Sequence, residues 1–352
     1  MTSELIKIGV ITEPSAAHLE IYLDSVRDCR GVRGVAIADP SGESFQIAQG
    51  ILKDRLGSTA RYLNHLEMIN TFEPDMVVVT LESHHAPVAI RMALEGNCHV
   101  LAEKPACVQA VDFADLVQLA EARRRHLMLA LANRLNPLVQ ESKRIVESGL
   151  LGKLYGANLY FLADQTRLTN SDYQQSWWSS KSKAGGGHLI WLGIHWLDLI
   201  QYISGDRIHQ VCGFSENVGG QPIEVEDGSA LTLKFRKGML GTFQSGYFLD
   251  RGYQSQIAIW GSQGWLRCDL LGRDPMQWYS IHPAAPAGVQ SFSDTTDYSS
   301  NEYLPFIQAA VDAIRGLRDP PISGREGLSV LKVIFALYKA AETGLVQSLS
   351  DS

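Results

Sequence analysis

No apolar run in the sequence approaches the roughly 20 residues that a membrane-spanning helix requires, so a helical membrane protein is not expected. The five cysteines, Cys29, Cys98, Cys107, Cys212 and Cys268, are scattered, and no two stand at CxxC spacing. That distribution argues against a disulfide frame or a zinc site and for reduced structural thiols. Charge of neither sign dominates: 31 Lys and Arg face 38 Asp and Glu, a formal net of -7. With a pI near 5.8 the surface suits neither nucleic acid nor an anionic membrane as the main partner. Met1 to Lys7 lack the charged-then-apolar layout of a signal peptide, which makes a cytoplasmic location the expectation. Low-complexity tracts and internal repeats are also absent.

What is present is an ordinary globular mix, 45% hydrophobic and 20% charged, over 352 residues, a length that suits two domains. In the first third, short β-rich runs alternate with helical spacing. Ile6 to Ile11, Val35 to Ala38, Met76 to Thr80, Cys98 to Ala102 and Leu127 to Leu131 read as strands, and Ala17 to Val26 and Val88 to Leu94 as helices. Such alternation predicts an α/β domain, residues 1–133, with a doubly wound parallel sheet. Residues 134–352 read as an α+β domain with a large, mostly antiparallel sheet. Its strands are Gly156 to Ala163, Ser229 to Phe235, Met239 to Ser245 and Gln256 to Trp260, joined as a meander by turns at Lys237-Gly238 and Ser262-Gln263-Gly264. Residues 274–301 read as a long loop, and helices are expected over Glu141 to Ser148, Pro305 to Leu317 and Gly327 to Thr343.

A doubly wound sheet binds ligands at the carboxyl ends of its strands. Here the first strand-to-helix turn is Thr12-Glu13-Pro14-Ser15-Ala16-Ala17, without the early glycines of a phosphate-binding loop. Pro14 offers no N–H, and Glu13 brings negative charge; Ala17 alone fits the small third position. Thr12, Glu13, Ser15 and Ala17 are nevertheless the residues that would meet a cofactor. Asp39, after the second strand, has the chemistry to accept ribose hydroxyls, favouring NAD over NADP, although NADP stays possible; its other reading is a turn residue before Pro40. Thr80 and His84, at the end of a later strand, would line the same edge. Glu82, His84 and His85 match no recognised metal pattern, and no metal is expected.

Glu103-Lys104-Pro105 follows a buried strand directly, where a lysine is suited to proton relay or hydroxyl binding. Later, Gly185-Gly186-Gly187-His188 opens a helix running to Ile203. Trp191, His195, Asp198 and Tyr202 fall at helical spacing on one stripe, with Leu189, Leu192, Trp196, Leu199 and Ile203 on a packing stripe. His195 is the side chain best matched to proton transfer near neutrality, and reads otherwise as a histidine bonded to Asp198. Trp177 and Trp178, in a polar stretch, suit either a carbohydrate platform or packing.

Together these segments resemble the Gfo/Idh/MocA oxidoreductases, whose signature pairs an EKP lysine with a glycine-rich GGGxLxDxGxHxxD-like helix. The matching residues are Lys104, Gly185 to Gly187, Leu189, Gly193, His195 and Asp198, with further likeness at Asp39-Pro40, Asn133 to Pro137, Ser148-Gly149 and Gly261 with Gly264. The resemblance implies a Rossmann domain followed by an α+β domain whose open sheet often makes homodimer or homotetramer contacts. It also implies a nicotinamide cofactor between the domains, Lys104 and His195 as catalytic groups, and a sugar or cyclitol substrate met by Arg134, the tryptophans and Asp198. Two positions depart from the family pattern: Trp191 stands where the family carries an acidic residue, and the first turn lacks glycine. Three classes therefore stay open: an NAD(P)-dependent dehydrogenase or reductase, a non-redox sugar-processing enzyme with tightly retained NAD, and an inactive sugar- or dinucleotide-binding regulator.

Overall fold

The computed structural model describes residues 4–53, 60–271, 276–293 and 303–350. Contacts divide the chain into two units: Met1–Ala132 with Asp297–Leu328, and Asn133–Thr296 with Ser329–Ser352. The return of 297–328 to the first unit was not expected, and packing explains it. The helix Leu304–Ile314 buries Phe306, Ile307 and Ala310, and its Gln308 accepts from Arg30 N at 2.8 Å while donating back to Arg30 O at 3.2 Å.

In the first unit, β1 (Ile6–Thr12), β2 (Val32–Ala38), β3 (Ala60–Tyr62), β4 (Met76–Thr80), β5 (His99–Ala102) and β6 (Leu127–Leu129) form a six-stranded sheet in the order β3-β2-β1-β4-β5-β6. Every pairing is parallel. The central strands β1 and β4 are short and almost wholly buried, as expected where crossover helices cover both faces. Chain order reverses at β1, so the edge beyond β1 and β4 is the topological switch point. Gly9 belongs to packing there: a Cβ on it would stand 2.8 Å from Met68 Cε of the helix His65–Phe72.

The second unit holds a nine-stranded sheet of β7 (Leu154–Asp164), β8 (Ile208–Glu216), β9 (Gly228–Phe235), β10 (Leu240–Leu249), β11 (Gln254–Gly261), β12 (Gly264–Cys268), β13 (Met276–Ser280), β14 (Gln290–Phe292) and β15 (Gln347–Ser348). Its order is β14-β13-β12-β11-β7-β10-β9-β8-β15. The expected meander is interrupted: β7 inserts between β10 and β11 and runs parallel to β10. Strand alternation cannot foresee this, because the pairing partner of a strand is a non-local choice. The expected loop over 274–301 is also corrected, since β13 and β14 lie inside it; residues 274–275 and 294–301 of that stretch fall outside the described residues. Along β7, Ala157, Leu159, Phe161 and Ala163 are buried on one face, and Phe161 stacks on Trp196 with ring centres 4.1 Å apart. Among the described residues no helix is long and apolar enough to cross a membrane.

Candidate active site

In the first unit the glycine-free turn is closed by a backbone bond and tied to its neighbour by side-chain bonds. Ala16 N donates to Glu13 O at 3.0 Å, and His18, at φ 59°, takes the left-handed conformation before the helix Leu19–Asp28. The helix thus begins two residues later than the sequence spacing suggests. Glu13 does not point idle charge at a phosphate position: Glu82 N donates to its Oε1 at 2.6 Å, and His85 Nδ1 lies 3.0 Å from its Oε2. Ser15 Oγ donates to Glu82 Oε1 at 2.8 Å, joining the turns after β1 and β4. Thr80 Oγ1 donates to Ala17 O at 2.5 Å, so both residues act in the scaffold beneath.

Against these turns opens a cavity of about 500 Å³, lined by Thr12, Glu13 and Asp39 on one side and by Leu81, His84 and Met92 on the other. A dinucleotide needs a recess at this edge and an apolar wall, and these residues supply both; the helix Leu19–Asp28 begins shortly after the same turn. Asp39 is buried and engaged in its own turn. Ser41 N and Oγ donate to Oδ1 at 2.9 and 2.8 Å, and Ser44 N donates to Oδ2 at 2.9 Å. Burial works against its charge, but the bonds from Ser44 and Ser41 prevail and hold its pKa below the ordinary value. Asp39 is thus a turn-former that also lines the cavity.

At the end of β5, Lys104 is buried, with Nζ 3.7 Å from Glu103 Oε1. Glu103 is itself buried; Tyr22 OH donates to Oε2 at 2.5 Å, and His18 Nδ1 stands 3.3 Å from the same oxygen. Burial opposes the charge of Glu103, yet His18, Lys104 and the Tyr22 bond together lower its pKa. Tyr22 moves the other way, its hydroxyl held well above the ordinary range by burial and by the carboxylate it serves. The edge of Tyr22 meets Tyr303 at 5.4 Å between centres. A sequence reading could not have found His18, Tyr22 or Tyr303, since none lies near Lys104 in the chain.

In the second unit the glycine run is explained by close approach. A Cβ on Gly187 would lie 1.9 Å from Glu226 O, and one on Gly186 would lie 2.1 Å from Tyr338 OH. Glu226, also missed from sequence, closes the start of the following helix: Gly187 N donates to its Oε2 at 2.7 Å, and Leu189 N and Tyr338 OH donate to Oε1 at 2.9 and 3.0 Å. Burial outweighs those donors and raises the pKa of Glu226. Residues Leu189–Gly193 then form a π-helical turn before the α-helix Ile194–Ser204. This corrects the single stripe: the wider turn shifts Trp191 out of α-helical register with His195, while His195, Asp198 and Tyr202 keep it. The expected polar face is corrected as well, because His188, Trp191, His195 and Asp198 are all buried.

Asp198 is committed to Arg134. Arg134 Nε and Nη2 donate to Oδ2 and Oδ1 at 2.8 and 2.7 Å, both side chains are buried, and the guanidinium lies 4.8 Å over the Tyr202 ring. The pair braces the helix that carries His195. His188 Nδ1 lies 2.7 Å from Ser245 Oγ, and burial with the charge of Arg167 lowers its pKa to about 3. Trp177 stacks on Trp178 at 4.3 Å, and Trp191 meets the two at 5.1 and 4.2 Å. Trp177 and Trp191 are buried by this contact, and Trp178 stays half-buried with surface to offer. Lys104 belongs to the first unit and His195 to the second.

Residues 8–131 match the family profile described as "Oxidoreductase family, NAD-binding Rossmann fold", and residues 139–267 match the "GFO/IDH/MocA C-terminal domain". The chain is 23% identical to the D-glucoside 3-dehydrogenase of Escherichia coli, over 98% of this chain and 97% of that protein. It is 22% identical to the myo-inositol 2-dehydrogenase of Thermotoga maritima, over 83% and 84%. Among solved structures, the WlbA dehydrogenase of Bordetella pertussis in complex with NADH and UDP-GlcNAcA superposes with a TM-score of 0.87 at 20% identity, over 100% of both chains.

Proposed function

The chain belongs to the Gfo/Idh/MocA oxidoreductase family and carries its NAD-binding Rossmann domain, and from that premise we propose that it is an NAD(H)-dependent dehydrogenase or reductase acting on a hydroxyl or ketone carbon of a sugar, cyclitol or glycoside. The observation that carries this reading is the buried Lys104–Glu103 pair at the end of β5, in the unit whose switch-point edge holds the cavity. Relatives named for glucoside and myo-inositol oxidation support the substrate class.

When bound, NAD(H) supplies the hydride acceptor or donor. The residues of the chain handle the proton and the geometry. Lys104 Nζ holds and orients the reacting oxygen, with Glu103 balancing the buried ammonium, itself held by Tyr22 and His18. His195 Nδ1 or Nε2 takes the hydroxyl proton during oxidation and returns it during reduction. The Arg134–Asp198 pair keeps the His195 helix in place, and the half-exposed Trp178 offers a face on which the C–H side of a sugar ring stacks. Trp191 carries no exchangeable acid, so the proton route runs through Lys104 and His195 without it.

The test is direct. Denaturing the purified protein is expected to release NAD(H), and titration of the stripped protein is expected to show tighter binding of NAD than of NADP. Lys104→Ala and His195→Ala are each expected to lower turnover about a hundredfold or more with folding retained. A stripped protein that binds neither dinucleotide, or variants that keep full turnover on an accepted sugar, would overturn the reading.

A further inference from the structure

The turn after β4 gathers ligand atoms that the sequence spacing did not recommend as a metal site. One ligand atom each from Glu82, His84 and His85 lies within 4.8 Å of the others. Glu82 Oε2 stands 3.5 Å from His84 Nδ1. Bonds of about 2.0–2.2 Å from a tetrahedral ion place neighbouring ligand atoms ~3.3–3.5 Å apart, so this edge needs almost no adjustment. A second carboxylate is adjacent, with Glu13 Oε2 3.0 Å from His85 Nδ1. The supporting bonds are also of the right kind. Ser15 Oγ occupies Glu82 Oε1 at 2.8 Å and leaves Oε2 turned towards His84, while Glu82 N fixes Glu13 through Oε1.

We propose that Glu82, His84 and His85, with Glu13 beside them, bind a divalent transition-metal ion at the rim of the first-unit cavity. Two imidazoles with one or two carboxylates form a mixed nitrogen and oxygen donor set of the kind zinc, cobalt or manganese accepts. The site faces a cavity whose described lining residues include His84 and His85 but no lysine or arginine. Phosphates entering there would meet no lysine or arginine side chain among those residues to balance their charge. A bound ion supplies the balancing charge. This second role rests on the NAD reading; the binding of the ion does not.

Calorimetric titration of ZnCl₂ into the full-length protein, stripped with EDTA and free of nucleotide, separates the two. One ion per chain is expected, with affinity reduced about tenfold to a hundredfold in Glu82→Gln and in His84→Ala. No saturable binding, or binding unchanged in both variants, overturns the site. NAD is then titrated with EDTA and with zinc present, and severalfold tighter binding with zinc supports the counter-ion role. Equal affinities remove that role. A protein that binds zinc but no NAD under either condition overturns the proposed function and leaves the metal site standing.

Discussion

At the scale of single residues, burial decides what each ionisable group does. Arg134 and Asp198 have each other as partners in a place where an unpaired charge is costly. Asp198→Ala strands the guanidinium and is expected to destabilise the protein by about 3–5 kcal/mol, read by urea denaturation. Arg134→Met with Asp198→Leu should recover a large part of that loss; a double variant as unstable as the single would show that the pair matters for more than charge balance. His188 gives a pH signature. The unfolded chain takes up its proton near the ordinary 6.5, and the folded protein only near 3. Stability therefore falls as pH drops through that window, by at most ~1.4 kcal/mol per pH unit from this residue. His188→Asn should flatten the slope, compared by denaturation at about pH 4 and about pH 7; an unchanged slope would assign the acid sensitivity elsewhere. Glu226 has the opposite sense, since its raised pKa favours the folded state at low pH and removes that advantage as pH rises through the raised value.

At the scale of elements, the glycine run, Glu226 and the π-helical turn form one device. The backbone of Gly187 lies against the Glu226 carbonyl, and the Glu226 carboxylate receives the first N–H groups of the helix. A methyl group on Gly187 meets backbone, which cannot swing aside. Gly187→Ala is expected to cost about 3 kcal/mol or more, against about 1 kcal/mol for Gly205→Ala, where the space is open and only φ 59° resists. Similar losses at both positions, measured by chemical denaturation, would show that close approach is not what the glycine provides. The run itself was legible in the sequence as a backbone that must come close to something. Its partner was not, because Glu226 lies 39 residues further along the chain. The strands of the first unit were legible for the reverse reason: parallel strands buried on both faces are written as continuous apolar runs, as in Met76–Thr80. The insertion of β7 beside β10 carries no such local mark.

At the scale of the whole molecule, the proposed function assigns proton handling to both Lys104 and His195. Lys104→Ala combined with His195→Ala should lose little more turnover than the worse single variant if both groups act on the same proton. Losses that multiply would assign them independent tasks. The sequence alone determined the parallel α/β unit and the family likeness, and it singled out Lys104, His195, Arg134 and Asp198 as candidates, because apolar periodicity and a short motif are local properties of a chain. Tertiary structure alone decided that Asp39 holds its own turn, that Glu13 is latched to the β4 turn, and that Trp177 and Trp191 are packed while Trp178 keeps free surface. It also supplied His18, Tyr22 and Glu226. Those assignments depend on which groups distant in sequence share a few ångströms of space, and that is settled by how buried polar atoms find their partners once the core has formed.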